Sequence, residues 1–350
     1  MTRRRRKVIR WLVSTAVLLV LVAGAALATG YHLLSKPYRG FETEKMLQIP
    51  RGLSTREMAK QLAEAGVIEH EWMFLAARAA QPKAVLQAGE YQFLDVASVW
   101  DVFDRIRRGD VYTFEFTVPE GSNIWDIARL LETQGIMYEK DFLAAASDPS
   151  PIRDLAPEAQ SLEGYLFPAT YRLSHKTTAQ ELCHMMVEQF RRQWRNVGGE
   201  MPPHEMVTLA SLVEEETGVS SERGMVAGVF TNRLRIGMAL ACDPTVMYAA
   251  RLQGRYRGVI YKADLLRDHP YNTYKNAGLP PGPISNPGKA SLEAALHPAV
   301  TEALYFVAKP DASGHVFSKT SAAHSRAVQE YRDAAQIRKA ARTAAQGQAN

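Results

Sequence analysis

Residues 118–146 read VPEGSNIWDIARLLETQGIMYEKDFLAAA, and residues 49–77 read IPRGLSTREMAKQLAEAGVIEHEWMFLAA. At a constant offset, Pro50, Gly52, Ala59, Leu62, Gly66, Ala76 and Ala77 recur as Pro119, Gly121, Ala128, Leu131, Gly135, Ala145 and Ala146. Both stretches follow one physical grammar. A short strand runs into Pro-x-Gly, which makes a turn. Ser54 or Asn123 then caps a helix. Apolar residues follow at helical spacing, Met58, Ala59 and Leu62 in one copy and Ile127, Ala128 and Leu131 in the other. Gly66 or Gly135 closes each helix in a left-handed cap. The predicted fold class is therefore α+β, with a repeated strand–helix unit near its start.

Between the copies, Gly89-Glu90-Tyr91-Gln92-Phe93 reads as a strand, and Trp100 to Ile106 reads as a helix that ends near Gly109. Residues 40–150 are expected to form one small α+β region. The Val-Pro-x-Gly-x-x-x-x-x-Ile-Ala spacing of residues 118–128 resembles the opening of a LysM carbohydrate-binding module. The resemblance implies a LysM-like subdomain that holds N-acetylated glycans. A duplicated scaffold with no ligand is the other reading.

Upstream, Trp11 to Leu34 contains no Asp, Glu, Lys or Arg. At about 1.5 Å per residue this run spans a hydrocarbon core of roughly 30 Å, so residues 11–34 read as a transmembrane helix. Arg3, Arg4, Arg5, Arg6, Lys7 and Arg10 precede it. The positive-inside rule keeps this basic tip, residues 1–10, in the cytoplasm and sends the rest outward. A cleaved signal peptide ending near Ala26-Leu27-Ala28 is the competing reading, and it exports the same residues. The tip also explains the pI near 9.1. It holds six of the 42 basic residues, which leaves 36 against 37 acids. The folded part has no basic excess, so nucleic acid is not an expected partner.

Residues 151–338 are expected to form a larger mixed domain, with helices around 179–195, 204–217 and 221–234 and a hairpin near 303–319. Residues 339–350, rich in Ala, Gln and Arg, read as a disordered tail. The helix at 204–217, started by Pro202 and Pro203 and stopped by Gly218, ends in Glu214-Glu215-Glu216-Thr217. Met206, Leu209, Ala210 and Val213 form an apolar stripe at 100° per residue, and Glu216 shares its side. Glu215 points away from the stripe. Partial burial and the negative helix end both favour the protonated carboxylic acid, the form a general acid needs. Three solvated glutamates at a helix end are the bland alternative.

Around that helix a set of motifs occurs in order. Glu163-Gly164-Tyr165-Leu166-Phe167-Pro168 precedes it. Ser221-Glu222-Arg223, Asn232-Arg233-Leu234, Asp243-Pro244-Thr245, Tyr271-Asn272-Thr273-Tyr274, Gly278-Leu279-Pro280-Pro281-Gly282-Pro283-Ile284, Asn286-Pro287-Gly288 and Ala295-Leu296-His297-Pro298 follow. Together with the anchor and the repeat, this set resembles the YceG-like family, the MltG-type endolytic murein transglycosylases, over nearly the whole chain. The resemblance implies cleavage of the β-1,4 bond between N-acetylmuramic acid and N-acetylglucosamine in peptidoglycan, leaving 1,6-anhydro ends. It also implies action beside the peptidoglycan synthases, an extracytoplasmic catalytic part and no cofactor or metal. It makes Glu216, directly before Thr217, the catalytic acid/base. Glu163, Asp243, Asn272 and Thr273 are candidates for stabilising the transition state. Tyr271 and Tyr274 are candidates for packing on sugar faces or in the core. The sequence departs from the family pattern at Ala241-Cys242, where Gln and Ser or Thr are common, and at Ala323-His324-Ser325, where Glu-His-Asn is frequent.

Other chemistries lack a signal. His70-Glu71 and His204-Glu205 are not followed by the second histidine of a zinc protease, since Phe74 and Thr208 stand there. No CxxC, P-loop, GxGxxG or GxSxG occurs. Cys183 and Cys242 can be paired or free. His297, His315 and His324 are scattered and read as structural. The alternatives to a lytic enzyme are a non-catalytic, membrane-tethered peptidoglycan-binding scaffold and a water-using muramidase with Asp243 or Glu163 as the second carboxylate.

Overall fold

The computed structural model of the chain describes residues 3–198, 203–311 and 313–347. No proline interrupts Arg3–Ser35, which forms one continuous helix, α1. Its portion Arg10–Ser35 is long and apolar enough to cross a membrane. Trp11, Leu18, Val20 and Leu27 are exposed, whereas Leu34 in the last turn is buried. Tyr31 brings its ring within 6.3 Å of the Trp100 ring.

The chain divides into two compact units, Met1–Phe114 and Glu115–Asn350. In the first, β1 (Lys45–Ile49) is followed by α2 (Thr55–Glu64), α3 (Glu71–Ala80), β2 (Gly89–Phe93) and α4 (Val99–Arg108). Strands β1 and β2 pair antiparallel from Lys45↔Phe93 to Ile49↔Gly89. The caps are as local chemistry dictates. Ser54 and Glu57 make a capping box on α2, Ser98 and Asp101 make one on α4, and Gly109 ends α4 in the left-handed conformation. Val99, Val102, Phe103 and Ile106 form one buried face, packed with Leu62, Phe74, Tyr91 and Phe93.

The second unit opens with β3 (Phe114–Thr117), α5 (Ile124–Thr133), α6 (Glu139–Ala146) and β4 (Thr170–Leu173), and β3 and β4 are hydrogen-bonded neighbours. The sequence repeat is thus a repeated strand–helix–helix–strand unit. Its second copy belongs to the same unit as the glutamate helix. Then come α7 (Ala179–Val197), α8 (His204–Glu216), α9 (Arg223–Arg235), α10 (Asp243–Leu252), α11 (Lys262–Leu265), α12 (Lys289–Leu296), the antiparallel hairpin β5 (Tyr305–Ala308) and β6 (His315–Ser318), and α13 (Ser321–Gly347).

Helix α8 differs from the one-sided helix its periodicity suggests. His204, Val207, Thr208, Leu209, Ala210, Ser211, Leu212 and Val213 are all buried, while Met206 is only half-buried. The reason is tertiary: α9, α10 and α12 all pack against it. Pro202, expected in its first turn, lies outside the described residues, and Pro203 stands at its N-cap. The tail expected to be disordered from residue 339 is helical as far as Gly347, in keeping with its helix-favouring Ala and Arg content. Residues 348–350 lie outside the described residues. Cys183 and Cys242 are both buried and free.

Candidate active site

Three consecutive glutamates end α8, and packing gives each a different fate. Glu214 is buried. Its Oε1 lies 3.0 Å from Arg223 Nη2, and its Oε2 accepts the Gly288 N–H at 2.9 Å. Arg223 also donates to Ser291 Oγ at 3.0 Å. This carboxylate ties α8, α9 and the start of α12 together, and none of its geometry is turned to solvent chemistry.

Glu215 was expected to point away from the core. It keeps an exposed edge, yet it lines a pocket of about 90 Å³ with Gly121, Asn123, Asp126, Tyr248 and Arg251. Burial of the carboxyl, with Asp126 and Glu214 nearby, raises its pKa to about 7, against the opposing Ser285 hydroxyl and Arg251. Arg251 in turn holds Asp126 at 2.9 Å. Gly121, at φ +78°, brings the backbone close, since a Cβ there would sit 3.4 Å from Glu215 Oε1. The second repeat copy therefore builds one wall of this pocket through Gly121, Asn123 and Asp126.

Glu216 is the last residue of α8, half-buried at the negative end of the helix. Burial raises its proton affinity above that of an ordinary carboxylate, and the Asp243 charge acts in the same direction. The nearby Cys242 thiol and the charges of His315 and Arg233 act the other way. Thr217 ends the helix in an extended conformation, and its hydroxyl accepts the Val219 N–H at 3.0 Å.

Of the other predicted residues, Asp243 and Tyr274 stand with Glu216 at the solvent edge. Both are exposed, and the Tyr274 hydroxyl donates to Asp243 Oδ1 at 2.6 Å. Glu163, Asn272 and Thr273 are buried with their polar atoms engaged. Glu163 accepts from the Ile124 N–H at 3.2 Å and Asn286 Nδ2 at 3.0 Å, and burial pushes its pKa to about 8. Asn272 donates to the Leu265 and Arg267 carbonyls and accepts from the Tyr274 N–H. Thr273 Oγ1 accepts the Cys242 N–H at 3.0 Å. Tyr271 packs its ring 5.0 Å from that of Tyr248.

Several further residues reach this site without any sequence signal for it. His315, read as structural, is bound to Glu222 at 2.7 Å, and its charge reaches Glu216. Arg233 is buried, with its guanidinium on the Leu304 and Leu240 carbonyls and its charge beside Glu216. Asn286 links Leu166, Ser122 and Glu163. Arg233 and Asn286 fall inside motifs noted above, but nothing in their spacing assigns partners. Among the described residues no group of three or more His, Cys, Asp or Glu is placed to hold a metal ion.

Comparison with known proteins gives a consistent answer. The model of the YceG-like family matches residues 47–330. The chain is 34% identical over 332 residues to an endolytic murein transglycosylase of Bacillus subtilis (strain 168), covering 89% of this chain and 91% of that one. It is 28% identical over 317 residues to an endolytic murein transglycosylase of Streptococcus pneumoniae serotype 2, covering 81% of this chain and 57% of that longer protein. The crystal structure of a YceG-like protein from Listeria monocytogenes superposes with a TM-score of 0.53 at 31% identity, covering 82% of this chain and 99% of that one.

Proposed function

The chain belongs to the YceG-like family, and on that premise we propose that it cuts the bond between N-acetylmuramic acid and N-acetylglucosamine inside peptidoglycan strands, with Glu216 as acid/base. It is a lytic transglycosylase, a carbon–oxygen lyase. One observation carries the assignment to Glu216. It is a half-buried carboxyl of raised proton affinity, at the end of an enclosed helix, beside the exposed Asp243–Tyr274 pair.

The chemistry needs a single proton carrier. The Glu216 carboxylic acid gives its proton to the glycosidic oxygen as the C1–O bond breaks. Positive charge then builds at C1. The carbonyl end of α8 and the Asp243 carboxylate are the negative groups at hand to stabilise it. Glu216, now a carboxylate stabilised by the Cys242 thiol and by Arg233 and His315, takes the proton of the sugar's own C6 hydroxyl. The C6 oxygen closes on C1 and gives the 1,6-anhydro end. Water is not consumed, and Glu216 ends as it began. In this reading the enzyme trims or terminates nascent strands beside the synthases.

The anchor reading places α1 in the cell membrane, the basic tip in the cytoplasm and the rest outside. The packing of Leu34 and Tyr31 into the first unit supports an uncleaved helix. The repeated strand–helix–helix–strand units serve, in the same reading, as LysM-like glycan holders.

The test is mass spectrometry of purified peptidoglycan treated with the full-length chain in detergent micelles, beside Glu216→Gln. Anhydro ends are expected from the native chain, with a loss of about 10³-fold in the variant. Reducing ends would mean a muramidase, and intact glycan would mean a binding scaffold.

A further inference from the structure

The pocket of about 90 Å³ beside Glu215 takes no part in the proton transfers at Glu216, yet the two share a framework. Glu215 precedes Glu216 on α8, and Pro244 follows Asp243 on α10. Met247, Tyr248 and Arg251 come three, four and seven residues after Pro244, so one face of α10 forms a wall. The Tyr248 ring is fixed between those of Trp125, at 5.2 Å, and Tyr271, at 5.0 Å.

The other walls are tied to one another by backbone. Ile284 belongs to the proline-rich loop, and its N–H donates to Ser211 Oγ of α8 at 3.1 Å. The turn before α5 is bound to the same loop. The Gly121 N–H donates to the Asn286 carbonyl at 3.0 Å, and the Asn286 N–H donates to the Ser122 carbonyl at 3.0 Å. The pocket is therefore formed before any ligand arrives, which spares an ordering cost on binding.

Size and chemistry together narrow the occupant. At the ~30 Å³ that one water takes up in the liquid, the space suits a group of about four heavy atoms and excludes a sugar ring. Its charges nearly cancel. Arg251 is paired with Asp126 at 2.9 Å, and burial raises the Glu215 carboxyl to about 7. A cationic or anionic group would find little net attraction there. Asn123 Oδ1 is committed to the Trp125 and Asp126 N–H groups at 3.1 Å each, whereas Glu215 has no ion-pair partner among the described residues. Glu215, Asp126 and Arg251 thus offer donors and acceptors beside the apolar Pro244, Met247 and Ile284. A neutral amide ending in a methyl group matches all of this: its C=O needs a donor, its N–H an acceptor and its methyl an apolar wall.

We propose that this pocket takes the N-acetyl group of a sugar in the bound glycan, with Glu215 hydrogen-bonding the amide and Met247 limiting the length of the acyl chain. The proposal rests on the reading that Glu216 cuts peptidoglycan. The amide that joins a stem peptide to muramic acid continues in both directions, and so small a space admits a terminal acetyl group in preference to a continuing chain.

The experiment uses glycan strands stripped of stem peptides, de-N-acetylated, and re-acylated with either acetyl or butyryl groups, on the full-length chain in micelles. The native chain is expected to prefer the acetylated strands by about 100-fold in kcat/KM, from the added methylenes. Met247→Ala should narrow that preference to about 10-fold by admitting the longer acyl chain. Glu215→Ala should lose about 10-fold on acetylated strands, and Glu215→Gln should stay within ~3-fold of native. Equal rates of the native chain on the two strands, a preference unmoved by Met247→Ala, or native rates in Glu215→Ala would each overturn the proposal.

A second readout needs no cleavage. Calorimetric binding of the two strands to the Glu216→Gln chain should repeat the preference as a ratio of Kd values, and adding Met247→Ala should narrow it. A native chain that cuts neither strand overturns the functional reading, and the Kd ratio then decides the pocket by itself. Cleavage without acyl preference overturns the pocket alone.

Discussion

Glu214, Glu215 and Glu216 are the same side chain at successive positions of one helix, and their surroundings separate them. Glu214 is half of a buried ion pair, so removing its charge leaves Arg223 uncompensated. Glu214→Gln should cost about 3 kcal/mol, read as a lowered Tm of the second unit. Glu216→Gln should abolish cleavage with Tm held, and that contrast distinguishes a structural carboxylate from a reactive one. The sequence placed Glu216 on a buried side because periodicity is local information. It could not pair Glu214 with Arg223, nor turn Glu215 toward a pocket, because those contacts depend on how α9 and the second repeat copy pack. Ala241 stands at φ +47°, a strain equally silent in the sequence, where alanine is unremarkable. Ala241→Val should cost at least about 1 kcal/mol through the positive φ, while Ala241→Gly should not lower Tm. Unfolding of the two variants compared with native chain decides this.

Elements written in local chemistry were the most legible. Ser54 and Asn123 were read as caps, Gly66 and Gly135 as left-handed terminators, and residues 89–93 as a strand, and each takes that form. The enclosure of α8 was not legible, because a helix buried all round its middle presents no single stripe once Thr208 and Ser211 bond back to its own carbonyls. The two repeat copies now differ in use. Asn123 caps α5 through the Trp125 and Asp126 N–H groups and also lies 3.3 Å from Arg251. Ser54, its counterpart, bonds within its own cap. Asn123→Ala should therefore cost about 2 kcal/mol and also weaken cleavage, whereas Ser54→Ala should cost about 1 kcal/mol and leave cleavage intact. Tm and product yield measured on both variants test the asymmetry.

For the whole molecule, pH-dependent stability follows from the carboxyls held high and those held low. Glu163 at about 8 and Glu215 at about 7 bind protons more tightly folded than at their ordinary value of 4.5. Their contribution is complete below 4.5 and is lost as pH rises through 7 and 8. Glu57 and Asp101, held low by Ser54 and Ser98, contribute above their ordinary values and lose that as pH falls. Thermal stability should accordingly peak near about pH 5 and decline toward pH 8. Glu163→Gln should flatten that decline and lower the plateau, since an amide nitrogen cannot accept from Ile124 or Asn286. Melting curves across pH test both statements. At the N-terminus, deleting residues 1–35 removes the buried Leu34 and should cost the first unit about 2 kcal/mol relative to a chain that retains the last turn of α1. That last turn has a consequence for kinetics. With α1 seated in a bilayer, the first unit is carried by a packed joint in place of a slack tether. The search for substrate then becomes two-dimensional, and the local concentration is set by reach more than by affinity. Turnover measured on freely diffusing fragments would then understate the rate on strands within that reach. A strand beyond reach would survive however well the site fits it.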